Sequence, residues 1–99
     1  MKKKLFISQP MANRTEEEIK FEKEKIIEEV RKTYGDIDVI DSYIEDSPED
    51  ASGIWYLAKS IEMLDEADIV YFAYGWQLNR GCIIEHEVCK RYDKTIIKD

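Results

Sequence analysis

Short apolar runs alternate with stretches of helical periodicity along the whole chain. Four of these runs have the length and composition of β-strands, and they cover residues 5–7, 37–41, 68–73 and 95–97. The third run is almost continuously apolar, which is typical of a strand buried on both faces. The second run alternates in part, and this pattern indicates a strand at a sheet edge.

Three helices are predicted between these strands. Thr15 and Glu18 have the spacing of a capping box, so the first helix starts after Thr15, runs to about Tyr34 and ends at Gly35. The third helix opens in the segment NRGCIIEHE at residues 79–87. The second helix is marked by apolar residues at helical spacing, namely Ile54, Leu57, Ala58, Ile61 and Leu64.

The alternation of strand and helix predicts a single α/β domain over residues 1–99. Its sheet should be parallel, with about four strands in the order 2-1-3-4 and right-handed crossovers that place helices on both faces. This is a three-layer, flavodoxin-like or Rossmann-like arrangement. Ligands bind such sheets at the carboxyl ends of the strands where the strand order switches, here between the first and third strands. Residues 8–14 and 74–81 should therefore line a ligand crevice.

The third helix directs an acidic residue toward that crevice. A rotation of about 100° per residue from Ile84 places Gly81, Val88 and Tyr92 on one stripe, which we expect to face the rest of the protein. Glu85 falls on the same stripe, near a helix N-terminus that favours its ionised form. A charged carboxylate in a small crevice suits nucleophilic attack on a sugar carbon. From position alone, a partly exposed residue at the rim of the helix–sheet contact is an equally good interpretation.

Two arginines and several aromatic residues lie in the same region. Arg14 and Arg80 each sit at the start of a helix, where backbone amides bind anions, so together they form a candidate phosphate or carboxylate site; taken singly, each is an ordinary surface charge. Trp76 and Tyr43 are near the same edge, and exposed aromatic residues indicate either a base-stacking wall or an oligomer interface. Ile83 points away from the sheet, which adds to the case for a homo-oligomer.

The overall charge narrows the range of partners. A net charge of −7 makes binding to a nucleic-acid polymer unfavourable, because phosphate neutralisation requires a basic surface. No apolar run approaches the roughly 20 residues that a membrane span needs. The start MKKKLFIS is typical of a strand, and its apolar part is too short for a signal peptide. The two cysteines do not indicate a disulfide framework. We therefore expect a cytoplasmic protein that does not associate with membranes.

Cys82, His86 and Cys89 are spaced to share one face of the third helix, which raises the question of a metal site. A structural zinc site requires about four ligands, and the chain contains no further Cys or His. Three ligands on one straight helix are also hard to close around a single ion. We expect neither a metal nor another cofactor.

The chain resembles the nucleoside 2-deoxyribosyltransferase superfamily, which includes the 2′-deoxynucleoside 5′-phosphate N-hydrolases. The segments ADIVYFAYG and RGCIIEHE, after a first strand that ends in a short polar loop, carry this resemblance. Nearly the whole chain is also similar to a small branch of the superfamily that is largely known as a domain of unknown function. That similarity runs through FISQPM, IDSY, IWYLAKSIEMLDEADIVYFAYGW and RGCIIEHE.

The resemblance implies roles for particular residues. In those enzymes the Glu of a Gly-x-x-x-Glu motif attacks C1′ of the sugar and displaces the base, and Gly81 and Glu85 match that motif. The enzymes carry an Asp on the preceding helix that protonates the departing base, and Ser60 stands in its place here, although a serine hydroxyl is a poor general acid. The candidate catalytic residues are thus Glu85 and Ser60. The candidate substrate-binding residues are Ser8, Gln9, Pro10, Met11, Arg14, Tyr43, Trp76, Asn79, Arg80 and Gly81.

Three functional hypotheses follow. The first is cleavage or transfer of the N-glycosidic bond of a nucleoside or nucleoside 5′-monophosphate through Glu85, with Gln9, Tyr43 and Trp76 on the base or sugar and both arginines on the phosphate. The second is a module that binds or sequesters a nucleotide without turnover, which the serine at position 60 favours. The third is a homo-oligomeric interaction domain whose aromatic edge is the interface.

Overall fold

The computed structural model describes residues 2–42, 44 and 46–99, and within these ranges the chain forms a four-stranded parallel sheet. The sheet order is β2-β1-β3-β4, and every neighbouring pair is parallel. The predicted α/β class and strand order are therefore confirmed. Tyr43 lies outside the described residues. The strands are β1 (Lys3–Ser8), β2 (Ile37–Val39), β3 (Ile69–Phe72) and β4 (Thr95–Lys98).

Each helix begins at a side chain that caps its free amide groups. Thr15 and Glu18 form both halves of the predicted capping box before α1 (Glu16–Tyr34). Ser52 accepts a hydrogen bond from the Trp55 amide before α2 (Gly53–Asp65), and Asn79 accepts one from the Cys82 amide before α3 (Arg80–Arg91), each at 3.0 Å. A short 3-10 helix (Trp76–Leu78) precedes α3. No helix in the described part of the chain is long and apolar enough to cross a membrane.

The two faces of the sheet follow from the alternation of side chains along each strand. Leu5, Ile7 and Tyr71 point to the face that α1 covers with Ile26 and Val30. The intervening residues point to the opposite face, which α2 and α3 cover; the buried cluster there comprises Phe6, Leu64, Ala67, Val70, Phe72 and Cys89. Ser8 has the same parity as Phe6 and therefore points toward α2 and α3, at the carboxyl end of β1.

The inward face of α3 differs from the predicted stripe. Cys82, Glu85 and Cys89 are buried, whereas Ile84 is 42% exposed and Tyr92 is 74% exposed. The prediction placed Ile84 and Tyr92 against the protein and was wrong on both. The physical reason is that Cys89 packs against the sheet with Phe6, Val70 and Phe72, and this contact fixes the rotation of the helix. Glu85 faces inward in either rotation.

The predicted apolar stripe of α2 is only partly used. Leu64 is buried at the carboxyl end of the helix, and Leu57 and Ile61 are half-buried. Ile54, in the first turn, is 78% exposed and Ala58 is also exposed. The first turn of α2 therefore stands away from the sheet, and this displacement leaves an open space between α2 and α3.

Candidate active site

The space between α2 and α3 is a crevice of about 650 Å³ at the carboxyl ends of β1 and β3. This is the edge where the order of the parallel strands switches, which is the usual ligand position in such sheets. Its volume lies within the usual range for small-molecule sites. Seven of the residues predicted from the sequence line it, namely Gln9, Met11, Ser60, Asn79, Arg80, Gly81 and Glu85.

The Glu85 carboxylate is held by one short hydrogen bond. Ser8 Oγ donates to Glu85 Oε1 at 2.9 Å, and the two residues are 2% and 6% exposed. Glu85 forms no salt bridge with any other described residue. Ser8 points to the α2 and α3 side of the sheet, and the rotation of α3 directs Glu85 toward it. The contact therefore joins two residues that are 77 positions apart in the sequence.

The surroundings of Glu85 make its proton labile near neutral pH. Burial raises its pKa from 4.5 to about 7, and the hydrogen bond from Ser8 opposes that rise by stabilising the ionised form. Carboxylates that titrate near the working pH are characteristic of catalytic sites. The Cys82 thiol beside it has a raised pKa, first because of burial and also because of the Glu85 charge. Cys82 therefore remains a thiol when Glu85 ionises.

The starts of the two helices that border the crevice provide donors for an anion. The amino ends of α2 and α3 both line the crevice, and the free amides of a helix N-terminus attract negative charge. The Arg80 guanidinium lies over the first residue of α2, so closely that a Cβ atom added to Gly53 would be 3.4 Å from Arg80 Nη2. Arg80 forms no salt bridge with another described residue and is exposed. This cation is available to a ligand in the crevice.

Four predicted site residues do not line the crevice. Arg14 Nη1 contacts Glu22 Oε1 at 2.8 Å and donates to the Pro10 carbonyl at 2.9 Å, so its charge is neutralised beside α1. Pro10 serves as that carbonyl acceptor. Trp76 packs against the buried cluster at Phe72 and stacks on His86, with the Trp76 and His86 ring centroids 4.4 Å apart. Ser8 lies beneath the crevice and reaches it only through Glu85.

Gln9 is buried behind the crevice and connects it to α1. Its Nε2 donates to the Ile19 carbonyl and to Glu22 Oε1, both at 2.9 Å. Because two acceptors face one end of the amide, this end must be the nitrogen, and the amide oxygen is left buried without a partner in the structure. Gln9 therefore orders the loop after β1, which also contains Met11.

Several lining residues were not predicted from the sequence. The crevice is also bounded by the start of α2 with its cap and by two residues of α3, namely Ser52, Gly53, Ile54, Tyr56, Leu57, Cys82 and Ile84, whereas Ala12 lies in the predicted segment 8–14. The available signal was the helix start at Ser52 and Gly53, because a helix that begins with a cap and a glycine can approach a ligand closely. Apolar periodicity instead assigned Ile54 to the core.

The cysteines and the histidine of α3 do not form a cluster. Cys82 and Cys89 are buried on the inner side, whereas His86 lies between Trp76 and Phe72. The residues that the structure describes include no group of three or more His, Cys, Asp or Glu side chains placed to hold a metal ion.

Residues 3–98 match the family described as "Domain of unknown function (DUF4406)", so the match spans nearly the whole chain. No curated protein and no solved structure matches the chain.

Proposed function

We propose that this chain, which belongs to the DUF4406 family of domains of unknown function, binds a nucleoside or nucleoside 5′-monophosphate and cleaves or transfers its N-glycosidic bond through Glu85. One observation carries the proposal. A buried carboxylate without a cationic partner in the described chain, held by Ser8 at 2.9 Å, borders a crevice of about 650 Å³ at the ligand edge of the sheet.

The chemistry assigned to Glu85 is nucleophilic attack. A carboxylate oxygen attacks C1′ of the sugar, the bond from C1′ to the base breaks, and the resulting ester is hydrolysed by water or transferred to a second base. Attack requires the ionised carboxylate. Because the pKa of Glu85 is about 7, we expect the rate to rise with pH through about 7 and then level off.

The phosphate end of a nucleotide is assigned to Arg80 and the adjoining helix starts. Arg80 and the free amides of α2 and α3 provide charge and hydrogen bonds at one side of the crevice. Met11, Leu57 and Ile84 provide apolar surface for the base or the sugar. This division, a few polar groups on an apolar lining, is typical of small-molecule sites.

The direct test is release of free base from a panel of nucleosides and nucleoside 5′-monophosphates, followed by chromatography. We expect release by the wild-type protein and none by Glu85→Gln, which keeps an acceptor for the Ser8 hydroxyl. Glu87→Gln is the matched control, because Glu87 lies two residues further along the same helix and is exposed. Equal release by the wild type and Glu85→Gln on every substrate rejects Glu85 as the nucleophile.

A second function, binding without turnover, is favoured by Ser60. Ser60 lines the crevice where the resemblance places a proton donor, and a hydroxyl group donates a proton poorly near neutral pH. Under this alternative, calorimetry shows that a nucleotide binds and raises the melting temperature of the protein, while chromatography detects no free base. A ligand at 100 times its Kd adds about 2.7 kcal/mol to the free energy of unfolding.

Self-association is a further part of the proposal. Ile54 is 78% exposed where it lines the crevice and Leu78 is 93% exposed before α3, and such apolar surface favours contact with a second copy of the chain. Light scattering after size exclusion should report an oligomer that Ile54→Lys converts to a monomer. Phe21→Lys, at a residue of α1 that is 61% exposed, is the control and should leave the assembly intact.

A further inference from the structure

Departure of a neutral base from a nucleoside requires a proton, and the crevice lacks an evident donor. A neutral base leaves as an anion unless an acid protonates it, and such an acid contributes about 10²- to 10⁴-fold in rate. Several side chains of the described chain that line the crevice carry a proton on a carboxyl, hydroxyl, thiol or guanidinium group. Besides Glu85 these are Ser52, Tyr56, Ser60, Arg80 and Cys82. The chemistry of each can be compared with that requirement.

None of these groups is suited to protonate a leaving base. The Tyr56 hydroxyl donates its hydrogen bond to Ser47 Oγ at 3.0 Å, so its proton is directed to another residue. Arg80 does not lose its proton in proteins. The Cys82 thiol is 3% exposed and its pKa is raised by burial, so it holds its proton more tightly than an ordinary thiol. Ser60, like any hydroxyl, is a poor acid near neutral pH.

The charge around Glu85 favours a cationic group above it. The carboxylate is 6% exposed, and within the described chain it accepts one side-chain hydrogen bond, from Ser8, and pairs with no cationic side chain. A positively charged ring in the crevice would provide the missing counter-charge at short range and in a partly desolvated setting, where charge pairing is strongest.

A second hollow adjoins the crevice and contains more basic than acidic side chains. It measures about 440 Å³ and shares Met11 and Tyr56 with the crevice, so the two spaces adjoin at these residues. Ile19 and Ile44 supply apolar walls. Its charged residues are Lys20, Lys23 and Glu16, and neither lysine forms a salt bridge within the described ranges. Because two lysines face one glutamate there, this hollow has a local excess of positive charge on a chain of net charge −7, and we take it as a place for a phosphate-bearing group.

We infer that the substrate is an N-glycoside whose base carries a permanent positive charge, of the class of pyridinium nucleotides, and that its second nucleotide half lies in the hollow between Met11, Tyr56 and the two lysines. This inference rests on the proposed function of Glu85 and narrows its substrate class. The cationic ring lies toward Glu85 and the 5′-phosphate of its own half lies toward Arg80, whereas the phosphate of the second half extends past Met11 toward Lys20 and Lys23.

The reaction balances without an acid. A Glu85 oxygen donates an electron pair to C1′, the bond from C1′ to the ring nitrogen breaks, and its electron pair remains on that nitrogen and cancels the positive charge. The base departs as a neutral molecule. Water then attacks the glycosyl ester, which releases the sugar hydroxyl, the Glu85 carboxylate and one proton to solvent.

The decisive test uses two substrates that differ by one N7-methyl group and the positive charge that it creates on the base, N7-methylguanosine 5′-monophosphate and guanosine 5′-monophosphate. We expect Glu85-dependent release of the methylated base to be at least about 100-fold faster than release of guanine. Guanine needs a proton from a general acid in order to leave, and the methylated base does not. Nicotinamide adenine dinucleotide should also be cleaved, with release of nicotinamide. Glu85→Gln gives the background for each substrate.

The outcomes separate the two proposals. Equal Glu85-dependent rates on the charged and the neutral base overturn the inference and leave Glu85 as the nucleophile of the proposed function. Absence of Glu85-dependent release from every substrate overturns both. For the second hollow, the double variant Lys20→Ala, Lys23→Ala should raise KM for the dinucleotide about fivefold and leave KM for nicotinamide mononucleotide unchanged. Lys32→Ala, at the far end of α1, is the control. An unchanged KM for the dinucleotide overturns the placement of its second half.

Discussion

Glu85 should make the stability of this protein depend on pH in a predictable direction. In the folded chain its pKa is about 7 because of burial, whereas in the unfolded chain it returns to the ordinary value of 4.5. Between these values the folded state holds a proton that the unfolded state has released. The free energy of unfolding therefore falls as pH rises from about 4.5 through about 7, and it levels off above that range.

The magnitude follows from the two pKa values. At about 1.4 kcal/mol per pH unit, the separation between 4.5 and about 7 corresponds to about 3 kcal/mol of stability lost at alkaline pH. Between pH 5.5 and pH 8.5 the loss is about 2 kcal/mol, because part of it has already occurred at the lower pH. Glu85→Gln removes the titrating group and keeps the acceptor for Ser8 Oγ, so the variant should not show this loss.

Urea unfolding at a series of pH values measures the effect. We expect the stability of Glu85→Gln relative to the wild type to increase by about 2 kcal/mol between pH 5.5 and pH 8.5. Glu28→Gln, at an exposed position of α1, removes the same formal charge and is the control for net charge. If the difference between Glu85→Gln and the wild type is the same at both pH values, burial does not raise the pKa of Glu85 and the reasoning about the site is wrong.

Three further predictions test the contacts that build the site. Ser8→Ala removes the one side-chain hydrogen bond that the described residues donate to the Glu85 carboxylate, so the pKa of Glu85 should rise above about 7, as carboxyl chemical shifts would report. Asn79→Ala removes the cap of α3 and should lower the free energy of unfolding by about 1 kcal/mol in urea titrations. Trp76→Ala uncovers His86, whose pKa is lowered mainly by burial, so imidazole chemical shifts should show that pKa rising toward 6.5.

Matched control variants separate these specific effects from nonspecific effects of substitution on the structure. Ser60→Ala also removes a hydroxyl group from the crevice but makes no hydrogen bond to Glu85, so it should leave the carboxyl titration unchanged. Gln77→Ala, at an exposed position two residues before the cap, should leave stability within about 0.5 kcal/mol. A Trp76→Ala protein in which the imidazole titrates as in the wild type would contradict burial by Trp76 as the cause. The chain contains one histidine, so the signal is unambiguous.

The sequence by itself determined the elements and their order. Capping residues such as Thr15 act on amides three positions away, and the continuous apolar run of β3 indicates a central strand. Both features depend on neighbouring residues and can be identified from the sequence. The alternation of strands and helices then restricts the chain to a small number of parallel-sheet topologies, because crossovers between parallel strands are right-handed. Position 85 was identified in the same way from its side of the helix, and its spacing to Gly81 entered through the family resemblance.

Only the tertiary structure decided what surrounds Glu85. Its partner Ser8 is 77 positions away, and their contact depends on the parity of β1 and the rotation of α3, which Cys89 sets by packing on the sheet. Helical periodicity placed Ile84 inward because a 3.6-residue repeat does not tell which of two neighbouring apolar stripes meets the core. The pairing of Arg14 with Glu22 and the stacking of Trp76 on His86 were likewise undetermined, because a loop side chain has no periodic pattern that fixes its direction. A hollow is formed by residues from several elements, so its presence follows from packing in three dimensions.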